Sequence, residues 1–455
     1  MNNTPNWIES AFIYHIYPLG LTAAPHENRY DQPVEYRLEK IYPWLDHLEW
    51  LGINTILLGP ILKSMSHGYD LVDYFKIDQR LGDNQTFQKF SQEAHRRGMR
   101  ILLDAVFNHS GRDFFAFQEI LNSGQTSLYQ NWYEGVRFDQ TSPMGDPFTY
   151  NTWDGHFKLP KFNLSNPDVR DYLYKAVQYW IREWDIDGLR LDAADVIQPN
   201  FMQDLRQMTS TIKNDFWLMG EVVHGHYQQW ANPDHLHSVT NYEAYKGLFS
   251  SLNDKNYFEI AYSLNRQFGA DGIYKELMLY NFVDNHDVNR IMSQLEDNRH
   301  IYLLYTLLFT MPGVPSLYYG SEWGIEGKRE ASSDKALRPA IDLYQMIQDA
   351  PEPTLPVFIK NLADFRRNNI ALRIGKYRQE FVNSQQLGFW REMENQKTLI
   401  ILNASSEPFH ISKLKIPDQT RNINLFDPNM KIIIENHHIS TDILPYGVNM
   451  IVFES

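Results

Sequence analysis

Residues 99–109 read MRILLDAVFNH, an apolar run that ends among Asp104, Asn108 and His109. Before it stands FQKFSQEAHRRG (87–98), whose apolar spacing predicts a helix with basic residues in its last turn and Gly98 behind it. The same helix-then-strand unit recurs on both sides. IDGLRLDAA (186–194) follows NPDVRDYLYKAVQYWIREW (166–184), a helix with Asn166 as N-cap and Pro167 at its first position. FWLMGEVV (216–223) follows a helix near 199–213, and LMLYNFVDNHD (277–287) reads as a further strong strand after a weaker one near 238–242. AFIYHIYP (11–18), INTILLGP (53–60) and VPSLYYGSE (314–322) complete the strands. KIYPWLDHLEWLG (40–52), RHIYLLYTLLFTM (299–311) and VFIKNLADFRRN (357–368) are helices.

Eight strand-helix units of this kind predict a (β/α)8 TIM barrel, whose parallel strands are buried on both faces and so read as continuous apolar runs. A doubly wound open sheet has the same local alternation and is the alternative. The alternation lapses over 110–167, rich in Gly, Pro, Asn and aromatics, which predicts an inserted subdomain after the third strand. Past residue 370 come short runs broken by turns, among them KTLIILNAS (397–405) and GVNMIVFES (447–455). The expected domains are a barrel over 1–109 and 168–372, the insertion over 110–167, and a C-terminal all-β sandwich over 373–455.

Composition narrows the function. The 455 residues carry a formal net charge of -14, which repels nucleic acid and anionic membranes and suits a neutral substrate. With no cysteine there is no disulfide, thiolate zinc site or cysteine nucleophile. The opening MNNTPNWIES lacks the layout of a secretory signal, so a cytoplasmic location is expected. No nucleotide-binding loop is evident: GVPSLYYGSE (313–322) is too sparse in glycine to cradle phosphate.

The charges that remain fall in a pattern. RILLDAVFNH, GLRLDAAD, WLMGEV and YNFVDNHD all pass from apolar residues straight into acids, bases and amides. In a barrel these ends share one face, where the active site is built. A single carboxylate there would read as a helix cap or an arginine partner. Several together read as metal binding, acid/base chemistry on a polar substrate, or a structural network, and residue patterns alone leave those three open.

The ordered set of segments resembles the α-amylase family of glycoside hydrolases across essentially the whole chain. DAVFNH (104–109), GLRLDAAD (188–195), GEVVH (220–224) and FVDNHD (282–287) are similar to that family's third-, fourth-, fifth- and seventh-strand motifs. LPKFN (159–163) resembles its insertion motif in the style of neopullulanases and cyclomaltodextrinases. HGYDLVDYFKID (67–78) and GVPSLYYGSE (313–322) resemble its second- and eighth-strand regions.

The resemblance implies a retaining hydrolase of α-1,4-linked maltooligosaccharides, maltodextrins or starch-type glucans. Asp192 would be the nucleophile, Glu221 the general acid/base and Asp287 the third essential carboxylate. It implies that Tyr69, Asp104, His109, Arg190 and His286 bind substrate, Tyr69 as a stacking platform and Arg190 by orienting Asp192. No cofactor is required for that chemistry. Asn108 is the position where a structural calcium ligand is implied, and Asp195-Val196, standing where many secreted members carry Lys-His, counts against the usual calcium site. Ser66, in place of an aspartate three residues before the platform tyrosine, counts against an exo-acting glucosidase pocket, and Ala193 leans towards α-1,4 linkages. The N-terminal dimer-building domain of cyclomaltodextrinases is not expected. The alternatives are a transglycosylase or an α-glucosidase on the same scaffold and, after them, a non-catalytic carbohydrate-binding module.

Overall fold

The computed structural model describes residues 4–331 and 333–455. Its centre is a ring of eight parallel strands: β1 (Ile13–Ile16), β2 (Thr55–Leu58), β3 (Arg100–Ala105), β4 (Gly188–Leu191), β5 (Trp217–Gly220), β6 (Ser238–Val239), β7 (Tyr280–Asn281) and β8 (Val314–Tyr318). Hydrogen-bonded neighbours run β6-β5-β4-β3-β2-β1-β8-β7, and a parallel bridge between Thr240 and Tyr280 joins the two ends. The pairing of β1 with β8, in register Ile13–Ser316, rules out the open doubly wound sheet.

Strand periodicity sorts the core into two layers. Ile13, Leu57, Leu102, Trp217, Met219 and Val314 meet in one cluster inside the ring. Their chain neighbours, such as Tyr14, Ile56, Leu103, Leu189 and Leu218, pack outward against the helices. Leu103, Leu189 and Leu191 face out, so Asp104, Arg190 and Asp192 face in, at the carboxyl end of the ring. The next apolar positions would simply have extended the core. The change to acids and a base converts its rim into a site.

The surrounding helices are α1 (Tyr42–Leu51), α2 (Asn84–Arg96), α3 (Pro167–Trp184), α4 (Pro199–Ile212), α5 (Tyr242–Asn253), α6 (Tyr257–Phe268), α7 (Ile301–Thr310) and α8 (Leu355–Asn368). α1 stops because Gly52 takes φ 85, the left-handed C-cap position. α3 starts where the Asn166 side chain accepts from the Asp168 amide and Pro167 opens the first turn.

Two sequence expectations are corrected. The (β/α)8 barrel forms as expected, but the fifth unit lacks its helix: between β5 and β6 stands a 3-10 turn, Tyr227–Gln229. Residues 221–237 lack a helical apolar repeat and are broken by Gly225 at φ 109 and by Asn232-Pro233. The connection from β6 to β7 instead carries both α5 and α6, unassigned from sequence. The long strand expected over 277–287 pairs as β7 only at Tyr280 and Asn281, and the residues after it turn to present Asp284, His286 and Asp287.

Within 110–167 the chain forms a helix, Phe115–Ser123, and a hairpin, Thr152–Trp153 with His156–Pro160. A bridge from His109 to Lys161 and the Phe162 amide donating to Asn108 O at 2.9 Å fasten this segment to the residues that follow β3. After α8 the chain builds a five-stranded antiparallel sheet and a three-stranded one. In the strand Gln396–Asn403, Leu399 and Ile401 face the partner sheet while Ile400 and Leu402 pack on the barrel. That strand is therefore buried on both sides, which explains its unbroken apolar run. No helix among the described residues is long and apolar enough to cross a membrane.

Candidate active site

Arg190 is the organising residue. β3 and β4 place Asp104 and Arg190 directly opposite each other, both on the inner face. The Arg190 Nη1 donates to both Asp104 oxygens at 2.7 Å and to Asp192 Oδ1 at 3.0 Å. Its Nη2 lies 2.8 Å from Glu221 Oε2. One guanidinium thus grips three carboxylates, each delivered by a different strand end. It is nearly inaccessible, and burial alone would lower its pKa. Asp104, Glu221, Tyr69 and Asp192 hold it well above the usual arginine value instead.

Asp192 and Glu221 are brought together by the backbone. The Glu221 amide donates to Leu191 O at 2.9 Å, and the Ala194 amide donates to Glu221 O at 3.0 Å. Ala193, at φ 46 and ψ 46, turns the chain sharply after Asp192 and points its own amide at Glu221 Oε2, 3.3 Å away. A non-glycine residue in this region costs of the order of 1 kcal/mol, and here that strain aims the two acids at one space. Tyr242, at the start of α5, donates to Glu221 Oε1 at 3.3 Å.

The third acid enters from the far side. Asp287 Oδ2 is 2.8 Å from His286 Nε2, and Oδ1 is 3.0 Å from Arg338 Nη2. The Tyr69 hydroxyl donates to Asp104 Oδ2 at 2.9 Å and lies 2.5 Å from His286 Nε2, which ties this half of the site to the first. The rings of Tyr17, His286 and Tyr69 form a nearly parallel stack, His286 lying 6.0 Å from Tyr17 and 5.5 Å from Tyr69.

Four carboxylates therefore share two guanidiniums, and the imbalance is felt. Burial pushes the Asp192 carboxyl well up. Arg190 opposes this, while Glu221, Asp104 and Asp287 add to it by repulsion. Burial would also raise Asp287, but His286, Arg338 and Arg190 hold it well below the usual carboxylate range. Asp192 and Glu221 sit on the two nitrogens of one guanidinium, so the charge of Glu221 bears directly on Asp192.

Tyr69, Asp104, Arg190, Asp192, Glu221, His286 and Asp287 thus form one connected group. His109 and Asn108 lie beside it, without a contact to its carboxylates. The His109 ring is 5.8 Å from Trp153 of the inserted hairpin, and burial lowers its pKa to about 3. Asn108 Oδ1 is buried without a partner, the one feature that suits a cation ligand. Its amide nitrogen faces His109 Nδ1 at 3.3 Å, and among the described residues no set of three acidic, His or Cys side chains is grouped to hold a metal ion. These donors do not fit calcium, which takes six to eight oxygens.

Sequence reasoning missed three participants. Arg338 lies in the long connection after β8, beyond any motif and 52 positions from His286, and no periodicity could have marked it. Tyr242 and Tyr17 each follow a barrel strand closely, a position that flags site residues in this architecture.

Residues 37–354 match the family described as alpha amylase, catalytic domain. The chain belongs to the alpha-amylase family. It is accordingly a glycoside hydrolase by kinship as well as by its carboxylate set. A cyclomaltodextrinase from a Bacillus species is 31% identical over 420 residues, 88% of this chain and 73% of that protein. An intracellular maltogenic amylase from Bacillus subtilis (strain 168) is 29% identical over 455 residues, 96% of this chain and 75% of that one. A solved cyclomaltodextrinase structure superposes with a TM-score of 0.88 at 28% identity, covering 99% of this chain and 79% of the other. The chain spans about three quarters of these relatives.

Proposed function

We propose that this member of the alpha-amylase family hydrolyses α-1,4-glucosidic bonds of maltooligosaccharides with retention at the anomeric carbon. The observation that carries the proposal is the grip of one guanidinium on Asp104, Asp192 and Glu221, with Asp287 held ionised opposite. Two carboxyl groups on adjacent nitrogens of one guanidinium suit the roughly 5 Å separation of retaining enzymes better than the wider inverting one. The names of the relatives, cyclomaltodextrinase and maltogenic amylase, support an α-glucan substrate, and the description of one as intracellular supports a cytoplasmic location.

In the first step Asp192 Oδ bonds to the anomeric carbon. The bond to the glycosidic oxygen breaks, and that oxygen takes the proton held by Glu221. The step requires Glu221 protonated and Asp192 ionised, and the Arg190 contact favours the ionised form of Asp192. In the second step a water gives a proton to Glu221 and its oxygen bonds to the anomeric carbon, releasing Asp192. Asp287, ionised by Arg338 and His286, offers negative charge to the oxocarbenium-like transition state of both steps.

The test is proton NMR of maltoheptaose cleavage during the first turnovers. The α-anomer appearing first is expected, with Asp192→Asn losing activity by about four orders of magnitude or more. The β-anomer first would overturn the retaining mechanism, and unchanged maltoheptaose with active wild-type folding would overturn the substrate.

A further inference from the structure

The five-stranded C-terminal sheet lies against the barrel, and its barrel-facing side carries one polar row. Tyr377, Arg391 and Thr398 are direct cross-strand neighbours on the strands Lys376–Val382, Gln386–Glu392 and Gln396–Asn403. All three side chains are buried. Arg391 donates through Nη1 to Thr310 O at 2.6 Å and through Nε and Nη2 to Gly375 O at 3.1 and 2.9 Å. Arg366 of α8, equally buried, donates to Phe309 O and Leu372 O at 2.8 Å and to Gly313 O at 2.6 Å. The two guanidiniums therefore meet at consecutive carbonyls at the end of α7 and at both ends of the turn that leaves the short helix Ile370–Ile374.

Every partner of these two arginines is a carbonyl oxygen, and among the described residues neither forms an ion pair with a carboxylate. A helix C-terminus supplies roughly half a negative charge. Two such ends against these two guanidiniums, with a third at Arg373 beside them, leave positive charge uncompensated in the interior, an arrangement proteins avoid. Burial pushes Arg366 down to about 9, with repulsion from Arg373 beside it, and burial and Arg366 together depress Arg391.

The atoms left without a partner point the same way. They are Arg366 Nε, Arg373 Nε, Tyr377 Oη and Thr398 Oγ1. All four can donate a hydrogen bond. A cation-rich, carboxylate-free seam with spare donors and no spare obligate acceptor has the chemistry of an anion site.

We propose that this seam binds one small monovalent anion of the chloride class, which neutralises the arginine pair and fastens the C-terminal sheet to the end of α7.

Two experiments on the full chain test this. Crystals grown in sodium bromide should show an anomalous peak within hydrogen-bond reach of the Arg366, Arg391, Tyr377 and Thr398 side chains. Melting should rise by several degrees as potassium chloride replaces potassium gluconate at constant ionic strength. Tyr377→Phe combined with Thr398→Val, which removes two donors and leaves shape and charge, should weaken that dependence at least several-fold. Ordered water in the seam without a bromide peak, or identical melting in chloride and gluconate, would overturn the proposal, as would bromide bound only at the surface.

Discussion

Replacing Arg190 by methionine is the sharpest perturbation of this site, because one side chain then leaves three carboxylates facing one another. The Arg190 side chain is 4% exposed and contacts Asp104, Asp192 and Glu221 at 2.7 to 3.0 Å. Removing one partner of such a buried set costs about 3–5 kcal/mol, most of it the stranded charge of the other partners. For a chain of this size that is a fall in Tm of about 3–5 °C at neutral pH. The pH dependence separates charge from packing. Asp192 already has a folded pKa above its unfolded value of about 4, so its protonated form stabilises at low pH and that contribution is lost as pH rises through the folded value. Without Arg190 the cluster must bind still more protons when folded. The deficit of the variant should therefore be small near about pH 5 and grow towards about pH 8. Differential scanning fluorimetry of both proteins across that range measures it. A deficit that is equal at both ends would refute the electrostatic reasoning and leave Arg190 as a packing residue.

Three further outcomes follow from the same geometry. Arg338→Met removes one of the two groups holding Asp287, a carboxylate one third exposed, so a loss of about 1–2 kcal/mol, or about 5- to 30-fold in kcat/KM, is expected. Asp287 is depressed in the folded protein, so the acid limb of kcat/KM should move to higher pH in that variant, and an unmoved limb would count against the assignment. Tyr69→Phe keeps the stacked ring but frees Asp104 and His286 from their shared hydroxyl; kcat/KM on maltoheptaose should fall by roughly tenfold, from a loss of about 1–2 kcal/mol. Arg80 forks onto both Asp78 oxygens at 2.9 Å and reaches Pro25 O, His26 O and Ser64 Oγ, so Arg80→Lys should cost about 2–4 kcal/mol and release hydrogen-exchange protection around residues 25–28 and 62–66. Unchanged exchange there would show that the fork does not hold the loop.

The parts legible in the sequence are those where local pattern and global position coincide. At β3 and β4 an apolar run alternates between ring interior and helix layer, and the inward position nearest the rim changes to Asp104, Arg190 and Asp192. Chemistry is therefore written directly onto a periodicity. Where the barrel departs from its own pattern, the sequence misleads. The stretch from Leu277 to Asp287 is apolar enough for a long strand, yet only Tyr280 and Asn281 pair, because the rest must turn His286 under Tyr17 and Tyr69. The missing helix after β5 was signalled by Gly225 and Asn232-Pro233, but an expectation of eight equal units overrides such local evidence.

Arg338 marks the limit of a different kind. Its local partner is Asp334, four positions back at 3.3 Å, which says nothing of the site, since Asp287 and the His286 carbonyl come from another loop. Its role follows from a charge count rather than a pattern. Asp104, Asp192, Glu221 and Asp287 crowd one rim, and Arg190 is the one arginine or lysine of the motif segments that touches them. With Asp192 and Glu221 already on Arg190, keeping the third acid ionised needs a second cation on the side of that acid. The lysines of the motif segments, Lys76 and Lys161, pair with Asp73 and Glu134, so it had to come from a segment without a motif. An unbalanced charge in a legible constellation is thus itself a prediction, and here it points to a loop whose position only the folded chain reveals.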